Sequence, residues 1–496
     1  MLRVVRLSEL AAGVPGAVVE AGGDTEITGI AYDSRLAGPG DLFVAVPGLH
    51  VDGHAYAAEA AARGAAVALE KPAGAPAGTA WIRLPSTRTG LGELAAAFHA
   101  YPARQLRLAG VTGTDGKTTT THMAAHVLES AGIGVGAMST VALRVDDQEA
   151  DNLSGQTTVE ASEVQAWLAR VRDSGAQAAV LEVTSHALVQ QRVAACDFDV
   201  AAFTNVGHDH LDYHPTWEAY LEAKARLIDI CAGSAAKGIP KTALLNRDDH
   251  SYRHLVQRPI ERSWSYSLGA EGDLRALGVQ ASAAGSRFRL VTPLGREMVR
   301  LHVPARFNIY NALCAAGICL ALEVPVEKVA AGLSSFRGVR GRLEPVEAGQ
   351  DFKVYIDFAH SAGSLASALA ELRPFTAGRL IVVFGSTARS DHDRPGMGRA
   401  ASAADFFVIT TDDPLQEDPA EIAREVQSGV VGKAPGRDFE VVLDRRAAIR
   451  RAIALARRGD VVLLAGKGHE RSMLTAAGKE PWDERAEALA ALKERT

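Results

Sequence analysis

The amino-acid sequence predicts an α/β protein of about three domains built on parallel sheets. At 496 residues the chain is too long for a single core, and a typical domain of roughly 150 residues suggests three. Short apolar runs alternate with amphipathic helical stretches, which is the pattern of parallel sheets flanked by helices. Several apolar runs also end in polar residues, and such sheets bind ligands at the carboxyl ends of their strands. We therefore expect the chemistry to lie along two sheet edges.

The predicted strands that end in polar residues fall into two groups. In the first half of the chain, residues 178–183 contain Glu182, and residues 200–204 lead into Asn205. The second half has four such runs. They are 353–356 before Asp357, 379–384 before a Gly-Ser turn, 406–409 before Asp412 and Asp413, and 460–464 before the sequence Gly466-Lys467-Gly468-His469-Glu470. Each group predicts one ligand-binding edge.

Composition and charge exclude several classes of partner. Hydrophobic residues make up 47% and charged residues 23% of the chain, as in ordinary globular proteins. A net charge of −6 with scattered lysines and arginines offers no basic surface for nucleic acid. The longest apolar run, 312–322, is well short of the roughly 20 residues that span a bilayer. Arg6 and Glu9 interrupt any N-terminal signal sequence. We expect a cytoplasmic protein whose four cysteines are buried thiols.

A glycine-rich loop predicts an ATP-binding site. Residues 110–121 read GVTGTDGKTTTT, directly after a predicted strand and directly before a predicted helix. Backbone N–H groups of such a loop surround phosphates, a lysine balances their charge, and a threonine hydroxyl can bind Mg²⁺. Lys117 and Thr118 stand in these two roles. The strict Walker spacing fails by one position, and the glycines that remain are Gly110, Gly113 and Gly116.

A second segment, Asn205–His214, holds five metal-capable side chains within seven residues from His208. Imidazole and carboxylate groups suit a divalent metal, and phosphate chemistry favours Mg²⁺. A solvated polar loop is the alternative. His122 and His126 are four residues apart in the helix after the glycine-rich loop. They lack the HExxH context of a zinc site, so we predict that they lie on a solvated helix face.

Lys224 lies in the apolar stripe of the helix predicted after Pro215. Burial of a bare ammonium is costly unless it is paired. Periodicity alone therefore favours snorkelling, in which the stem is buried and the ammonium reaches water. The alternative is a lysine within the site that has a lowered pKa, or that CO₂ has converted to a carbamate acting as an additional carboxylate.

Taken together, these motifs resemble those of the Mur ligases. The motifs, in chain order, are YDSRLAGPGDLFVAVPG (32–48), VDGH (51–54), GxxGxxGKT (110–118), EVTSHAL (182–188), NxxxDHLDYH (205–214), RFNIYNALCAA (306–316), GRLE (341–344) and AGKGHE (465–470). They are similar to the UDP-N-acetylmuramoyl-tripeptide synthetase branch, whose members are ATP-dependent acid–amino-acid ligases of peptidoglycan biosynthesis. The resemblance implies a UDP-sugar domain (1–103), a central P-loop-type parallel-sheet ATPase (104–336) and a Rossmann-like domain for the amino acid (337–496).

The resemblance also assigns roles to individual residues. Catalysis falls to Lys117, Lys224, His210 and Arg342. ATP would contact Gly110, Thr112, Gly113, Thr114, Asp115, Gly116, Lys117, Thr118 and Thr119, with Asn308 and Asn311 at the adenine, Arg342 at the γ-phosphate and Asp357 at the ribose. The UDP-sugar and its dipeptide would contact Ser34, Arg35, Thr157, Thr158, Ser185 and Arg192. The incoming amino acid would contact Arg389, Asp412, Asp413, Gly466 and Glu470. Mg²⁺ would be held by Thr118, Glu182, His210 and Lys224, the last as a carbamate, which reverses the prediction from periodicity.

The segment Asp412-Asp413-Pro414-Leu415 departs from the pattern of the family. Branch members that take meso-diaminopimelate resemble one another in having DNPR here, with the arginine on the second carboxylate of the substrate. Leu415 offers a carboxylate no bidentate donor. Asp412, Asp413 and Glu470 instead supply negative charge suited to a terminal ammonium. The sequence therefore predicts L-lysine or L-ornithine in preference to meso-diaminopimelate.

Three other functions are alternatives. They are a meso-diaminopimelate-adding ligase of the same branch, a folylpolyglutamate-type ligase, and a non-catalytic ATP-binding scaffold. The folylpolyglutamate interpretation leaves the DSR…PGDLF motif unexplained. The sequence departs from the family pattern at Asp115, Gln156, Gly363 and around Arg389, and the departures other than Gln156 suggest the scaffold. For the ligase we predict an acyl phosphate on the D-glutamyl carboxylate as the intermediate. The predicted partners are small molecules alone: UDP-muramoyl-dipeptide, a diamino acid and ATP, with Mg²⁺, on a monomer without nucleic acid or membrane.

Overall fold

The computed structural model describes residues 3–48, 51–146, 148–152, 154–207, 209, 213–282, 284–388 and 393–495. The chain forms two compact units. The first comprises Met1–Arg275, Thr292–Leu294 and Leu313–Gly332, and the second comprises Ala276–Val291, Gly295–Ala312 and Leu333–Thr496. The predicted α/β class is confirmed, because parallel sheets with flanking helices occur in both units.

The N-terminal part of the first unit is a small, mostly parallel sheet. Its elements are β1 (Val5–Arg6), α1 (Leu7–Ala12), β2 (Val18–Ala21), β3 (Glu26–Ile27), β4 (Gly29–Ala31), β5 (Asp41–Val44), α2 (Ala57–Ala62), β6 (Ala66–Leu69), β7 (Trp81–Arg83) and α3 (Thr87–Phe98). The strand order is β2-β7-β6-β5-β4, with β2 antiparallel to β7. Leu42, Val44 and Ile82 pack in one core with Leu10 of α1 and Leu94 of α3.

The rest of the first unit is built on a larger sheet. Its elements are β8 (Arg107–Thr112), α4 (Lys117–Ser130), β9 (Val135–Met138), β10 (Ala142–Val145), β11 (Gln148–Asp151), α5 (Ala161–Asp173), β12 (Ala178–Glu182), α6 (Ser185–Val189), β13 (Val200–Phe203), α7 (Trp217–Gly233), β14 (Thr242–Asn246), α8 (Tyr252–Leu255) and β15 (Arg262–Ser267). Parallel strands follow the order β9-β12-β8-β13-β14-β15, and antiparallel β10 and β11 extend the β9 edge. Strands β9, β12 and β13 are buried throughout, as expected of parallel strands covered on both faces.

The second unit carries its own parallel sheet. Before that sheet the chain forms β16 (Leu274–Ser282), β17 (Gly285–Thr292), β18 (Gly295–Leu301), α9 (Phe307–Ala321) and α10 (Val326–Ser335). Of these elements, residues 276–291, 295–312 and 333–335 belong to the second unit, and the others belong to the first. The sheet and its helices follow: β19 (Glu344–Pro345), β20 (Lys353–Asp357), α11 (Ala362–Leu372), β21 (Leu380–Phe384), α12 (Arg394–Ala401), β22 (Phe406–Ile409), α13 (Pro419–Ser428), β23 (Phe439–Val441), α14 (Arg445–Leu455), β24 (Val461–Ala465), β25 (Ser472–Thr475), β26 (Gly478–Pro481) and α15 (Glu484–Arg495). Parallel strands run β20-β24-β21-β22-β23, and antiparallel β19 pairs with β20. One core lies under α11–α13 and another under α14 and α15, so helices cover both faces, as predicted for a Rossmann-like sheet.

Most predictions of strands and of buried residues are confirmed. The predicted strands before Asn205, Asp357 and Gly466 match β13, β20 and β24 to within one residue at either end, and the four cysteines are buried and free. The histidine pair, predicted on a solvated helix face, is partly shielded from solvent. His122 and His126 are half-buried, and Nε2 of His122 lies 2.9 Å from Oγ of Ser139. Within the described ranges, none of the helices combines the length and the apolar character that crossing a bilayer requires.

A buried ion pair joins α14 to α15. The Arg445 guanidinium donates to both carboxylate oxygens of Glu484, with Nη2 2.7 Å from Oε1, and also donates to the Ala465 carbonyl at 2.7 Å. Trp482 donates its indole N–H to the same carboxylate at 2.7 Å. Both charged side chains are almost fully buried, at 1% and 0% exposed. Removal of either charge would leave the other buried without its hydrogen-bonded counter-charge.

We expect Glu484→Gln to destabilise the folded protein by about 3–5 kcal/mol, because it strands the Arg445 guanidinium in the core. Chemical denaturation followed by circular dichroism measures this loss. Glu494→Gln is the control, since Glu494 pairs with Arg450 at 2.8 Å on the exposed face of the same helix. We expect the control to shift the unfolding midpoint very little. Equal shifts of the unfolding midpoint in the two variants would contradict the special importance of the buried Arg445–Glu484 pair.

Candidate active site

The glycine-rich loop joins β8 to α4, and two of its glycines have backbone conformations that favour glycine. Gly113 has a φ of +149°, and a Cβ there would lie 1.8 Å from Oγ1 of Thr204. Gly116 has a φ of +83° directly before the first residue of α4. The Lys117 ammonium folds back over the loop and donates to the carbonyls of Gly113 at 3.0 Å and Thr114 at 2.8 Å. The N-terminal end of α4 and this ammonium together form a site for an anion.

Gly110 differs from its predicted role at the phosphates. It lies inside β8, three residues before the loop begins. A Cβ at this position would approach Leu227 of α7 and Phe198 at 3.0 Å each. Close packing of α7 against the strand therefore explains this glycine, and the loop itself depends on Gly113 and Gly116.

The segment after β13 holds the loop in place. Asn205 accepts a hydrogen bond from the Asp115 N–H at 2.9 Å and donates its own amide to the Asp115 carbonyl at 3.1 Å. Thr204 Oγ1 donates to the same carbonyl at 2.6 Å. Asn205 was predicted as part of a metal-binding segment, and its contacts here are with the loop. The Asp115 side chain, the acidic departure noted in the sequence, is exposed.

A carboxylate lies at the end of the neighbouring strand. Glu182 is the last residue of β12 and is buried, with Oε2 accepting a hydrogen bond from Oγ1 of Thr118 at 2.9 Å. The same oxygen accepts from the backbone N–H of Thr140 at 3.1 Å. Hydroxyl and carboxylate oxygens are the ligands that Mg²⁺ prefers. Thr118 and Glu182 therefore fit that ion. Thr140 was not predicted, although it follows the end of β9 as polar residues follow the other strands.

Lys224 is buried in α7, so the prediction of snorkelling is wrong. The residue is 1% exposed, and its ammonium donates to the Gly113 carbonyl at 2.8 Å. The ammonium also lies 4.3 Å from the centre of the Tyr220 ring. Burial, together with the nearby positive charge of Lys117, lowers the pKa of Lys224 well below its usual value. The side chain therefore ends at the glycine-rich loop, and its ammonium loses a proton more readily than that of an exposed lysine.

The residues predicted for the dipeptide gather beside Glu182. Thr158 Oγ1 donates to the Glu182 carbonyl at 2.8 Å, and the Arg192 guanidinium donates to the Thr158 carbonyl at 2.9 Å. Thr157 Oγ1 lies 2.9 Å from the hydroxyl of Thr140. Ser185 begins α6, with its hydroxyl 3.0 Å from Nε2 of the buried His214. His214 was predicted in the metal-binding segment, and its contact here is with a predicted substrate residue.

Of the other predicted residues of the first unit, Ser34, Thr112 and Thr119 are buried and Arg35 is exposed. Ser34 is buried after β4, whereas Arg35 is exposed and pairs with Asp33. Thr112 ends β8, and Thr119 lies in the first turn of α4. Two predicted residues, His210 and Arg389, lie outside the described residues.

In the second unit, three loops meet at Asp357, which ends β20. The Asp357 carboxylate accepts the backbone N–H of Leu343 at 2.7 Å and that of Ala359 at 2.9 Å. Gly341 lies so close to the loop after β24 that a Cβ would be 2.2 Å from the backbone nitrogen of His469. The Arg342 guanidinium lies 4.8 Å above the Phe358 ring.

Two further groups of this junction are well defined. Burial, with the positive charges of Arg342 and Arg340, lowers the pKa of His469 to about 3, so the imidazole is neutral at physiological pH. Asn308 and Asn311, predicted at the adenine, are buried one turn apart in α9, and the Asn311 amide donates to the Asn308 side chain at 3.1 Å.

Lys467 is a buried charge within the predicted amino-acid site that the sequence reasoning did not assign to it. Its ammonium is fully buried, 2.8 Å from Oδ1 of Asp413, 2.6 Å from Oε2 of Glu470 and 3.6 Å from Oδ1 of Asp412. Burial raises the pKa of Asp412 and also that of Glu470. The three carboxylates were predicted to supply negative charge suited to the terminal ammonium of the substrate. Lys467 already neutralises part of their charge.

The glycine-rich loop, the acidic strand end beside it and a second sheet with charged loops define an α/β enzyme that uses a nucleoside triphosphate. Family models match three consecutive parts of the chain. They are the Mur ligase family catalytic domain over residues 26–99, the Mur ligase middle domain over 111–319 and the Mur ligase glutamate ligase domain over 341–468. The chain belongs to the Mur ligase family, whose members are ATP-dependent ligases.

Individual relatives agree over nearly the full length. The chain is 44% identical over 487 residues to a UDP-N-acetylmuramyl-tripeptide synthetase of Roseiflexus sp. (strain RS-1), covering 95% of each chain. It is 38% identical over 497 residues to a UDP-N-acetylmuramoyl-L-alanyl-D-glutamate–2,6-diaminopimelate ligase of Geobacillus thermodenitrificans, covering 99% of this chain and 100% of that one. A solved structure of a ligase with the latter name superposes with a TM-score of 0.69 at 28% identity over 99% of both chains.

These relationships confirm the three-domain α/β Mur ligase fold. The chain is an ATP-dependent ligase that adds an amino acid to a UDP-N-acetylmuramoyl peptide in peptidoglycan synthesis. The folylpolyglutamate-type ligase and the non-catalytic scaffold are thereby excluded as readings of the sequence.

Proposed function

We propose that this Mur ligase adds a basic diamino acid, L-lysine or L-ornithine, to the D-glutamyl residue of UDP-N-acetylmuramoyl-L-alanyl-D-glutamate. The observation that carries the proposal is the convergence of the phosphate loop, Glu182 and Arg192 within one unit. A carboxylate substrate held beside Thr158 and Ser185 would lie next to the phosphates of ATP. This proximity is what transfer of a phosphoryl group to a carboxylate requires.

In the first step, the γ-phosphoryl group of ATP passes to a side-chain carboxylate oxygen of the D-glutamyl residue, and ADP leaves. Lys117 and the N–H groups at the start of α4 offset negative charge on the transferring group. Thr118 and Glu182, with the proposed ligand His210, would hold Mg²⁺, which would add positive charge at the phosphates. Arg342 is the proposed ligand of the γ-phosphate, and Asp357, Asn308 and Asn311 are the proposed ligands of the nucleoside.

In the second step, the amine of the diamino acid attacks the acyl carbon. A C–N bond forms, the C–O bond to the phosphate breaks, the amine loses a proton and inorganic phosphate leaves. Catalysis here is by positioning and electrostatics, because the acyl phosphate is already reactive. Gly466, Glu470 and Asp412 are the proposed contacts of the amino acid, together with Asp413 and Arg389.

We propose that the Lys224 amine takes up CO₂ to form a carbamate, with a new N–C bond and release of one proton. The support is its burial next to the phosphate loop and its lowered pKa, because only the neutral amine reacts with CO₂. The carbamate would place an additional anionic oxygen ligand beside Thr118 and Glu182. It would also provide a counter-charge for the ammonium of Lys117.

The preference for a basic diamino acid rests on charge. Leu415 is 37% exposed with a φ of +49°, and its apolar side chain gives a carboxylate no donor. Asp412, Asp413 and Glu470 place three carboxylates around one ammonium, that of Lys467. A second ammonium, from the substrate, fits this excess of negative charge better than a second carboxylate does.

The second candidate is meso-diaminopimelate. The specific observation in its favour is that relatives such as the one from Geobacillus thermodenitrificans are named for this amino acid at 38% identity. The relative from Roseiflexus carries a name without an amino acid. The two candidates differ in one carboxylate, so a direct comparison of substrates separates them.

Ligation of L-lysine, L-ornithine and meso-diaminopimelate, each with UDP-muramoyl-dipeptide, ATP and Mg²⁺, tests the proposal. We expect kcat/KM for a basic diamino acid to exceed that for meso-diaminopimelate by about 10-fold or more, the effect of one charge-assisted hydrogen-bonded pair. Leu415→Arg is expected to raise kcat/KM for meso-diaminopimelate and to lower it for the basic amino acids. Mass measurement of the product identifies the added residue.

Leu443→Arg is the matched control, since Leu443 is 38% exposed in the same unit but lies outside the 412–415 segment. It should leave the order of preference unchanged. A wild-type enzyme that prefers meso-diaminopimelate would overturn the proposed specificity.

The remaining assignments follow from the same proposal. Residues 1–103 would bind the UDP-sugar, residues 104–336 ATP, and residues 337–496 the amino acid. We place the reaction in the cytoplasm, because it consumes ATP and the four cysteines are free thiols, as in a reducing compartment. We propose that the enzyme acts as a monomer.

A further inference from the structure

Glu160, the residue before α5, lies between two arginines from different parts of the first unit. Its Oε2 accepts a hydrogen bond from the Arg88 guanidinium at 3.1 Å, and its Oε1 lies 3.2 Å from Nε of Arg192. The three side chains are largely buried, with Arg88 at 21%, Glu160 at 13% and Arg192 at 11% exposed. A single shielded carboxylate thus orients two guanidinium groups.

Arg192 connects Glu160 to the candidate active site through hydrogen bonds. The same guanidinium donates to the Thr158 carbonyl at 2.9 Å and to the Gln190 side chain at 2.8 Å. Thr158 in turn donates to the carbonyl of Glu182. Glu160 lies 3.2 Å from Nε, which makes no hydrogen bond to any residue that the structure describes, so it holds the guanidinium by charge, while the hydrogen bonds to Thr158 and Gln190 fix the guanidinium plane.

Arg88 connects Glu160 to the N-terminal sheet. Arg88 lies in the first turn of α3 and also donates to the Pro47 carbonyl at 3.0 Å, shortly after β5. Tyr32, which opens the segment predicted for the uridine end of the substrate, is affected by the same carboxylate. Burial, with the charges of Glu163 and Glu160, raises the pKa of Tyr32 to about 12. The carboxylate of Glu160 therefore interacts both with residues of the N-terminal part and with a residue predicted to bind the dipeptide.

Because the three side chains are largely buried, the pairing of Glu160 with Arg88 and Arg192 has a large effect on the energy of each charge. Desolvation lowers the pKa of Arg192, and the negative charge of Glu160 opposes that effect. Loss of one partner from a shielded charge pair costs far more than loss of an exposed pair. Glu163 is already engaged, with Oε2 accepting the backbone N–H of Glu160 at 3.1 Å.

We propose that Glu160 is a positioning residue that orients Arg192 for the carboxylates of the UDP-muramoyl-dipeptide and, through Arg88, couples the N-terminal sheet to that orientation. This inference rests on the proposed role of Arg192 in binding the dipeptide. Glu160 itself does not touch substrate. Its removal therefore weakens binding of one substrate and leaves the chemical step in place.

Steady-state kinetics of Glu160→Gln tests the proposal, because a positioning role separates KM from kcat. We expect KM for UDP-muramoyl-dipeptide to rise by about 10- to 100-fold, the effect of truncating one member of a buried charge pair. KM for ATP and for the diamino acid, and kcat itself, should change by less than about 3-fold. Glu160→Asp keeps the charge on a shorter side chain, so it should restore part of the lost affinity.

Coupling to the N-terminal sheet is tested by Arg88→Met. This variant should raise KM for UDP-muramoyl-dipeptide by a smaller factor than Glu160→Gln does. The double variant, with both Arg88→Met and Glu160→Gln, should have a KM for that substrate no higher than that of Glu160→Gln alone. Independent, multiplicative effects would overturn the coupling. Glu20→Gln is the matched control, since Glu20 pairs with Arg83 at 2.8 Å within the N-terminal sheet. It should leave all three KM values unchanged.

The outcomes also separate this inference from the proposed function. If the wild-type enzyme does not ligate a diamino acid to UDP-muramoyl-dipeptide, the proposed function fails. If it does, and Arg192→Met raises KM for that substrate while Glu160→Gln does not, the positioning role fails. An equal rise in KM for all substrates would mark Glu160 as merely structural. If Glu160→Gln does not fold, the KM values of Glu160→Asp and Arg88→Met for UDP-muramoyl-dipeptide test the positioning role instead.

Discussion

Lys117→Ala is expected to lower kcat for ADP formation by about 10³-fold or more, since it removes the cation that offsets charge on the transferring phosphoryl group. The ammonium also donates to the carbonyls of Gly113 and Thr114, so it holds the loop in the conformation that receives phosphates. Loss of the cation and loss of this loop conformation would both lower kcat. A coupled assay of ADP release, with UDP-muramoyl-dipeptide and a diamino acid present, measures the loss.

Lys328→Ala is the control for this variant. Lys328 belongs to the same unit and likewise donates to a backbone carbonyl, that of Ala131 at 3.0 Å, but its side chain is exposed. It should retain the kcat of the wild-type enzyme. If Lys117→Ala kept kcat within about 10-fold of the wild type, phosphoryl transfer would not depend on this lysine as the site requires.

Lys224→Ala is expected to lower kcat by about 10²- to 10³-fold, the typical effect of deleting one preorganised electrostatic contact at a reacting centre. Formate or acetate at high concentration should restore part of the activity, because a small carboxylate can enter the space that the carbamate left. Wild-type enzyme freed of CO₂ should lose activity that bicarbonate restores. Steady-state rates across a series of acid concentrations measure both effects.

Lys237→Ala separates this chemistry from the loss of a buried lysine as such. Lys237 is also shielded, and its ammonium donates to the carbonyls of Ala103 at 3.0 Å and Leu106 at 2.7 Å while it pairs with Asp199. Its replacement should reduce stability without any rescue by carboxylic acids. Rescue of both variants, or full activity of Lys224→Ala, would argue against a carbamate.

The phosphate loop shows how much of a site local sequence can predict. A strand, a loop with glycine at the positions of positive φ, and a helix that begins at Lys117 are all properties of about 20 consecutive residues. The polar residues at strand ends were predictable for the same reason, because parallel strands bring their carboxyl ends to one edge. Thr140 obeys this rule and could have been found by it.

Lys224 shows where local reasoning stops. Periodicity correctly predicted that its stem lies in the apolar stripe of α7, but it could not show that Gly113, 111 residues away, supplies a carbonyl to the ammonium. Without that partner, snorkelling was the less costly solution. The partner exists only once β8 and α7 have packed together.

Lys467 and Glu160 extend the same lesson to specificity. The charges of Asp412, Asp413 and Glu470 were visible in the sequence, but the buried lysine among them was recognised only from its contacts. In the same way, nothing local to Glu160 indicates that Arg88, 72 residues earlier, and Arg192 share its carboxylate.

The sequence alone therefore determined the α/β class, the phosphate loop, the order of the motifs and the family that they resemble, because helix periodicity, strand length and turn chemistry are local properties. Only the tertiary structure decided which charges are paired, which lysine ends at the phosphates and which carboxylate orients two arginines. Electrostatic partners are chosen by proximity in space after desolvation, and the energy of each pair depends on burial that no short segment of the chain specifies.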